Sequence, residues 1–495
     1  MHWESGWRIA YDAAMRRLGP VALAALTALG VAGCGGSSHA GSASLDTALS
    51  YFPQTTPLVA TVDTTLSAAS VRALTSAGHG ATSSALVKAA LFSKLAQMGI
   101  DYNRDVKPLF GNPIAIGVGG LKVSGTATPI LVAWQTDSAT ALAHLLADLQ
   151  GVTKTGTHDG ATMYTLGRAA LATHGTLLLI SDNAATISTA LDRHRAGVGF
   201  SAAEYTQDTR GLPSGLVSMV GDLQTALDTP KAAQARKVPW VAAVKGYGVS
   251  LTTAQHDVSL NFRLDTSGHS LSAGELPVAS GSPAPGLAGT LPIDAGLRDP
   301  AQVYAFILDA ARSTGGHAYA KWLRQERTTQ TQTGVDVDSF LGSLTGTLQV
   351  TSNGHETIAC LPVSTADAAT WEKLLAHPPN HGVSSSLGNG FYRVRETDGT
   401  TLVGGVAGDE LVAGHRATVA QEEAYARTTA TRGDGHGAVA VRIALGTLIA
   451  ENLHSTPSPL ATELLSSIGD LTASAQESPQ ALTGKISVQI TAPAR

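Results

Sequence analysis

The sequence is short of charge, of aromatic rings and of cysteine. Asp, Glu, Lys and Arg make up 14% of it, well below the typical quarter. Its 33 basic and 38 acidic residues leave a net charge of −5, spread without large blocks. A nucleic-acid footprint needs clustered Lys and Arg, so no nucleic-acid partner is expected. Aromatic residues are 5%, too few for a series of stacking platforms for bases or sugars. The two cysteines, Cys34 and Cys360, cannot build a disulfide framework and allow one bridge at most.

Motifs with a known mechanism are missing too. There is no phosphate loop of the form GxxxxGK[ST] and no G-x-S-x-G nucleophile elbow. The GVGG cluster from Gly117 to Gly120 lacks the third glycine at dinucleotide spacing. His355 and Glu356 open an H-E pair with no second histidine to complete a zinc helix. No catalytic residue, metal ligand or cofactor is assigned from the sequence, and the expectation is a protein that is not an enzyme.

What is present begins at the N-terminus. The run from Val21 to Ala32 is almost wholly apolar. It is shorter than the about 20 residues of a membrane-spanning helix and suits the core of a secretory signal. Arg16 and Arg17 precede it, where positive charge holds an N-terminus on the cytoplasmic side. Glu4 and Asp12 weaken a positive leader, so Met15 is a candidate true start. Val31-Ala32-Gly33-Cys34 resembles the lipobox of bacterial lipoproteins. The resemblance implies cleavage between Gly33 and Cys34 and a diacylglyceryl group on the Cys34 thiol. Two acyl chains anchor a protein stably where one is marginal. Residues 1–33 are therefore expected to be a signal peptide and 34–44 a flexible Gly/Ser tether. The membrane is the expected partner of Cys34, on the outer face of the cell membrane. Cys360, in the apolar run TIACLPV, reads as a small core residue.

A chain of 495 residues has room for two to four domains of about 150 residues. A Pro/Gly/Ser-rich run from Ser267 to Thr290 reads as a linker between a first domain, 45–266, and a second, 291–495. The two sides repeat one another. Gly99, Asp101, Leu109 and Gly111 align without a gap on Gly334, Asp336, Leu344 and Gly346. Four further pairs follow in the same order, among them TLLLISDNAATISTAL (176–191) with DELVAGHRATVAQEEA (409–424). Leu142, Leu145, Leu146 and Leu149 trace one helix face behind Asp137 as N-cap. Trp371, Leu374 and Leu375 mark a matching helix capped near Thr365. Val303, Phe306, Ile307 and Ala310 mark another behind Asp299-Pro300. Leu91, Leu95 and Met98 give one more stripe. Short alternating runs such as PLVATVD and VSLNFRL read as half-buried strands. The fold class expected is α+β: two similar, duplicated domains, each a largely antiparallel sheet with helices on one face.

The segments YFPQTTPLVATVDTT (51–65), GIDYNRDVKPLFG (99–111) and Thr128 to Leu146 resemble an uncharacterised family of bacterial surface lipoproteins. That resemblance implies an envelope location and supplies no activity.

Three groupings carry residue types that can build a site. Asp101, Asn103 and Asp105 alternate like a calcium loop, but Val106 and Asn112 stand where it needs Gly and Glu; a structural turn, repeated at Asp336 and Asp338, is expected. His377 and His381 are separated by Pro378 and Pro379 and share no helix face. Trp134, Trp240, Trp322 and Trp371 are expected in cores rather than around a ligand. The function expected is a lipid-anchored envelope protein that binds an unknown envelope protein; the alternative is a carrier for a lipid or other apolar ligand.

Overall fold

The computed structural model describes residues 41–65, 100–119, 130–228, 232–254, 257–266, 270–280, 287, 291–379, 382–396, 399–429, 437–452 and 468–490. The chain divides into two compact units. Unit 1 holds residues up to Ala226 and Gly246–Phe262; unit 2 holds Leu227–Lys245 and Arg263 onward. Each is α+β with an antiparallel sheet.

Unit 1 begins with helix α1 (Gly41–Leu49) and β1 (Leu58–Val62). A π turn at Tyr102–Val106 and a 3-10 turn at Lys107–Leu109 lead into β2 (Ile114–Val118) and β3 (Ile130–Gln135). Helix α2 (Ala139–Asp148) is followed by the meander β4 (Val152–His158), β5 (Ala161–Leu166), β6 (Ala169–His174) and β7 (Leu177–Ser181). Helices α3 (Ala184–Ala196) and α4 (Ala202–Asp208), strand β8 (Val217–Asp222) and helix α5 (Leu223–Leu227) come next. Helix α6 (Pro239–Ala243), in the stretch that belongs to unit 2, precedes β9 (Gly246–Ala254) and β10 (Asp257–Asp265). The unit 1 sheet runs β4-β5-β6-β7-β3-β2-β1-β8-β9, every pair antiparallel.

Unit 2 continues with β11 (Ile293–Arg298), α7 (Pro300–Thr314), α8 (His317–Thr333), α9 (Val337–Ser343), β12 (Thr347–Ser352), β13 (Thr357–Pro362) and α10 (Thr365–Ala376). Then come β14 (Val383–Gly388), β15 (Phe391–Arg395), β16 (Thr401–Ala407), β17 (Glu410–His415) and α11 (Val419–Thr429). Strand β18 (Val439–Ala444), α12 (Leu445–Asn452), β19 (Ile468–Ser478) and β20 (Ala481–Ile490) close the chain. Its sheet runs β14-β15-β16-β17-β13-β12-β11-β18-β19-β20, again antiparallel throughout.

Helices cover both sheet faces, where one covered face was expected. Successive strand residues point to opposite faces. In unit 1, Leu131, Ala133, Leu177 and Leu179 pack with Leu49 from α1 and Ile187 from α3. Their neighbours Trp134 and Leu178 pack with Ala141 and Leu142 of α2 on the other side. In unit 2, Gly404 of β16 lies under Leu375 of α10, while Gly414 of β17 lies under Glu422 of α11. Gly414 pairs with Val403, so these helices take opposite faces. A strand sandwiched this way reads as a near-continuous apolar run, as in LLLIS (177–181).

The helix starts differ by a residue from the expected ones. Ser138, not Asp137, caps α2: its hydroxyl accepts from Ala141 N–H at 3.1 Å. The Asp137 N–H is instead given to Leu109 O at 3.1 Å. Ser364 caps α10, next to Thr365, near which the cap was expected. Asp299 does cap α7, with Pro300 in its first turn. On α7 the Phe306 ring meets Trp240 edge-on at 6.4 Å. Ile307, about 100° round the helix, is left 59% exposed.

The last four residues of the expected 34–44 tether belong to α1, which starts at Gly41, and Ser44 donates to Asn112 Oδ1 at 2.8 Å. The described part of 267–290 is docked on unit 2. Leu276 and Ala279 are buried, and Leu276 O accepts from the Gln302 amide at 2.7 Å. Val278 N–H donates to Glu477 Oε2 at 3.3 Å, while Glu477 Oε1 accepts from Trp240 Nε1–H at 2.6 Å. Glu477 on β19 thus clasps two chain segments inside unit 2.

Candidate functional site: a pocket beneath helix α3

A pocket of about 330 Å3 opens in unit 1 between the Phe52–Thr56 turn, the end of the β2–β3 pair at Gly117 and Leu131, and α3. Its walls are mostly apolar: Phe52, Pro53, Gly117, Leu131 and Ala185, with Thr56, Thr186, Thr189 and Arg193 as the polar members. Gly117 lines it, and Gly199 lets the neighbouring turn dock closely. A Cβ on Gly117 would stand 2.2 Å from the Phe52 ring, so the ring lies directly on the strand backbone. A Cβ on Gly199 would stand 1.9 Å from Ser50 O. That close approach lets Phe200 N–H donate to Phe52 O at 2.8 Å and Pro53 bridge to Gly199. The turn is further closed by Thr56, whose hydroxyl donates to Pro53 O at 2.6 Å.

Helix α3 supplies the remaining wall with residues one turn apart: Ala185, Thr189 and Arg193. The first two are small and exposed at the mouth. Arg193 is half-buried, and its Nη1 donates to Tyr51 O at 2.7 Å. Burial pulls the guanidinium pKa below its ordinary value. Tyr51 stacks on His194 at 4.4 Å, and burial with the nearby Asp159 pushes its phenol up to about 12. Among the described lining residues the polar groups are hydroxyls and one cation. Such groups can orient a ligand by hydrogen bonds.

Unit 2 contains a different kind of polar group. Glu422 of α11 is 0% exposed, and neither carboxyl oxygen has a hydrogen-bond partner among the described residues. A Cβ on Gly414 would fall 2.5 Å from its Oε1. Burial pushes this carboxyl up to about 7. Glu477 is pushed up to about 7 by burial as well, against the pull of its two hydrogen bonds.

The residues singled out in the sequence fall in several places. Gly33 and Cys34, with Met15, Leu91, Leu95, Met98 and His381, lie outside the described residues. Cys360 is buried beside Val412 and Tyr425 in the unit 2 core. Asp101 caps the π turn and accepts from Arg104 N–H at 2.8 Å. Asp105 is 0% exposed and accepts from Asp101 N–H at 2.7 Å and from the Arg104 guanidinium at 2.6 and 2.9 Å. Asp336 caps α9 in the same manner, accepting from Ser339 N–H. These aspartates organise turns, as expected. Trp134 is in the unit 1 core; Trp371 stacks on Phe340, Trp322 on Tyr319, and Trp240 serves Glu477. His377 is exposed. Among the described residues no group of His, Cys, Asp and Glu is placed to hold a metal ion, and no helix is long and apolar enough to cross a membrane.

The pocket is not legible in the sequence: Gly117 falls in the GVGG cluster, which lacks the dinucleotide spacing. The available signal was the small-small-Arg stripe Ala185, Thr189, Arg193 on one helix face.

No family profile and no curated protein matches the chain. Among solved structures it is similar to the protein TP0453. Crystal form III is 10% identical with a TM-score of 0.26, covering 45% of this chain and 81% of that one. Crystal form IV is 11% identical with a TM-score of 0.26, covering 44% and 79%. Likeness at that level carries no argument about fold or function.

Proposed function

We propose that this chain is a lipid-anchored, extracytoplasmic protein of the bacterial envelope that binds a small, largely apolar ligand and is not an enzyme. The observation that carries the ligand reading is the pocket under α3, with apolar walls and a single cation. It favours the carrier alternative over a purely protein-binding role. The anchor reading rests on the sequence around Cys34: the arginines before the apolar run, its length, the small residues and the thiol. The relation to the bacterial surface-lipoprotein family rests on the segments 51–65, 99–111 and 128–146.

The two units are, in this reading, duplicates. Their strand orders correspond one for one from β4 and β14 through to β9 and β19. Asp101 and Asp336 also cap corresponding turns.

Expression in a bacterial host, followed by detergent partitioning and native mass spectrometry, tests both claims. The wild type is expected to enter the detergent phase carrying the mass of a diacylglyceryl group and to retain a small apolar molecule after gentle extraction. Cys34→Ala is expected to stay aqueous. Unchanged partitioning of that variant overturns the anchor.

A further inference from the structure

The charge balance around the pocket specifies its ligand further. The C-terminal end of α3 carries Arg193, His194 and Arg195. The carboxylates nearby are taken: Asp159 by Arg195 at 2.8 Å, and Asp192 by Arg195 at 3.1 Å and His158 at 3.0 Å. Arg193 makes no ion pair among the described residues. Its Nη1 is committed to Tyr51 O, which fixes the guanidinium plane while other N–H groups remain as donors. A cation held half-buried against apolar walls without a counter-ion is unfavourable alone. A ligand carboxylate would supply the missing charge through charge-assisted hydrogen bonds. The volume of about 330 Å3 lies at the low end of the about 300–1,000 Å3 of small-molecule sites. It suits one acyl chain of medium length rather than a two-chain lipid.

We propose that the pocket takes a medium-chain fatty acid, its tail along Phe52, Leu131 and Ala185 and its carboxylate on Arg193. The proposal rests on the ligand-binding reading above and adds the charge of the ligand to it. It assigns Arg193 as the specificity-determining residue and the α3 face as the entrance.

Titration calorimetry with decanoate and with decanol, on the protein lacking its signal sequence, tests it. The wild type is expected to bind one decanoate at least tenfold more tightly than decanol. Arg193→Gln should lose at least tenfold for decanoate and leave decanol unchanged, and Arg193→Lys should retain part of the preference. Thr189→Trp, an exposed position at the mouth, should block both probes without lowering the melting temperature. Should Arg193→Gln fail to fold, Arg193→Lys and Thr189→Trp still decide the matter. Equal affinity for the two probes, with Thr189→Trp blocking both, overturns the carboxylate assignment and leaves the ligand reading standing. Binding that ignores Thr189→Trp, or no binding of either probe, overturns both.

Discussion

Helix α3 of unit 1 and helix α11 of unit 2 each follow the last strand of a four-stranded meander, and each begins at a side-chain cap. Asn183 accepts from Ala185 N–H at 2.9 Å. Thr418 and Gln421 cap α11 reciprocally, at 3.4 and 2.9 Å. Counted from the cap, positions four, seven and eight are buried in both helices. They are Ile187, Ala190 and Leu191 in α3, and Glu422, Tyr425 and Ala426 in α11. At position four, one helix buries an isoleucine and the other a carboxyl. The reverse exchange occurs four residues after the capping aspartates, where unit 1 buries Asp105 and unit 2 buries Phe340 against Trp371. The two buried carboxyls are handled oppositely. Asp105 accepts hydrogen bonds from Arg104 and from Asp101 N–H, and these hold its pKa below the ordinary value despite burial. Glu422 has no such donors, so burial alone acts and favours the protonated form. A scaffold accepts a buried acid either by supplying donors or by keeping its proton.

The largest effect is expected from moving the acid into the unit that lacks it. Ile187→Glu removes a fully buried aliphatic side chain and inserts a carboxyl with no donor. A loss of roughly 3–5 kcal/mol is expected, read as urea unfolding of unit 1. If the loss is under about 1 kcal/mol, the two helix positions are not comparable environments.

The converse substitution, Glu422→Ile, is expected to stabilise unit 2, and the gain should depend on pH. The folded pKa of about 7 lies above the ordinary 4.5. The folded state therefore binds the proton more tightly, and this stabilisation is full below about 4.5 and lost as pH rises through 7. The wild type should lose about 3 kcal/mol over that window from this group. Glu477 titrates in the same window in both proteins, so the difference between wild type and variant isolates Glu422. Amide exchange across β17 and α11 at pH 5 and pH 8 measures it; a pH-independent difference would show that Glu422 does not titrate there.

The smallest of the three effects is expected at Asp105, because its guanidinium partner is 63% exposed. Asp105→Asn keeps the shape and removes the charge. The native carboxylate, with its lowered pKa, contributes stability above about 3.8 that disappears as pH falls below it. The variant should melt lower than the wild type at pH 7, and calorimetry should show the gap narrowing as pH falls below about 3.8. Equal melting at pH 7 would mean that Arg104 and the Asp101 turn do not need the charge.

Much of this fold is legible in the sequence because period and capping are local. PLVATVD becomes β1 with Val59 and Thr61 inward, and Asp299-Pro300 starts α7. Errors of one residue arise where a tertiary contact competes, as when Asp137 N–H turns to Leu109 and leaves the cap to Ser138. Glu422 could not be read because a glutamate in a helix sequence such as VAQEEAYA belongs on the surface by every local rule. Only counting from Thr418 against Asn183 places it inside. The pocket joins Phe52, Gly117 and Arg193 across long sequence separations, and no periodicity links them.

The clasp formed by Glu477 has a consequence for how the chain is made. Trp240 and its acceptor are 237 residues apart. At a ribosomal rate of about 5–20 residues per second, the indole waits roughly 10–50 s for β19 to be synthesised. During that interval Leu227–Lys245, which sits in sequence between two strands of unit 1, has been made and has no docking strand. Cutting the gene at the Pro/Gly-rich run would make the wait permanent. The front half would keep a segment that belongs to the back, and the back half would present Glu477 with one of its two donors gone.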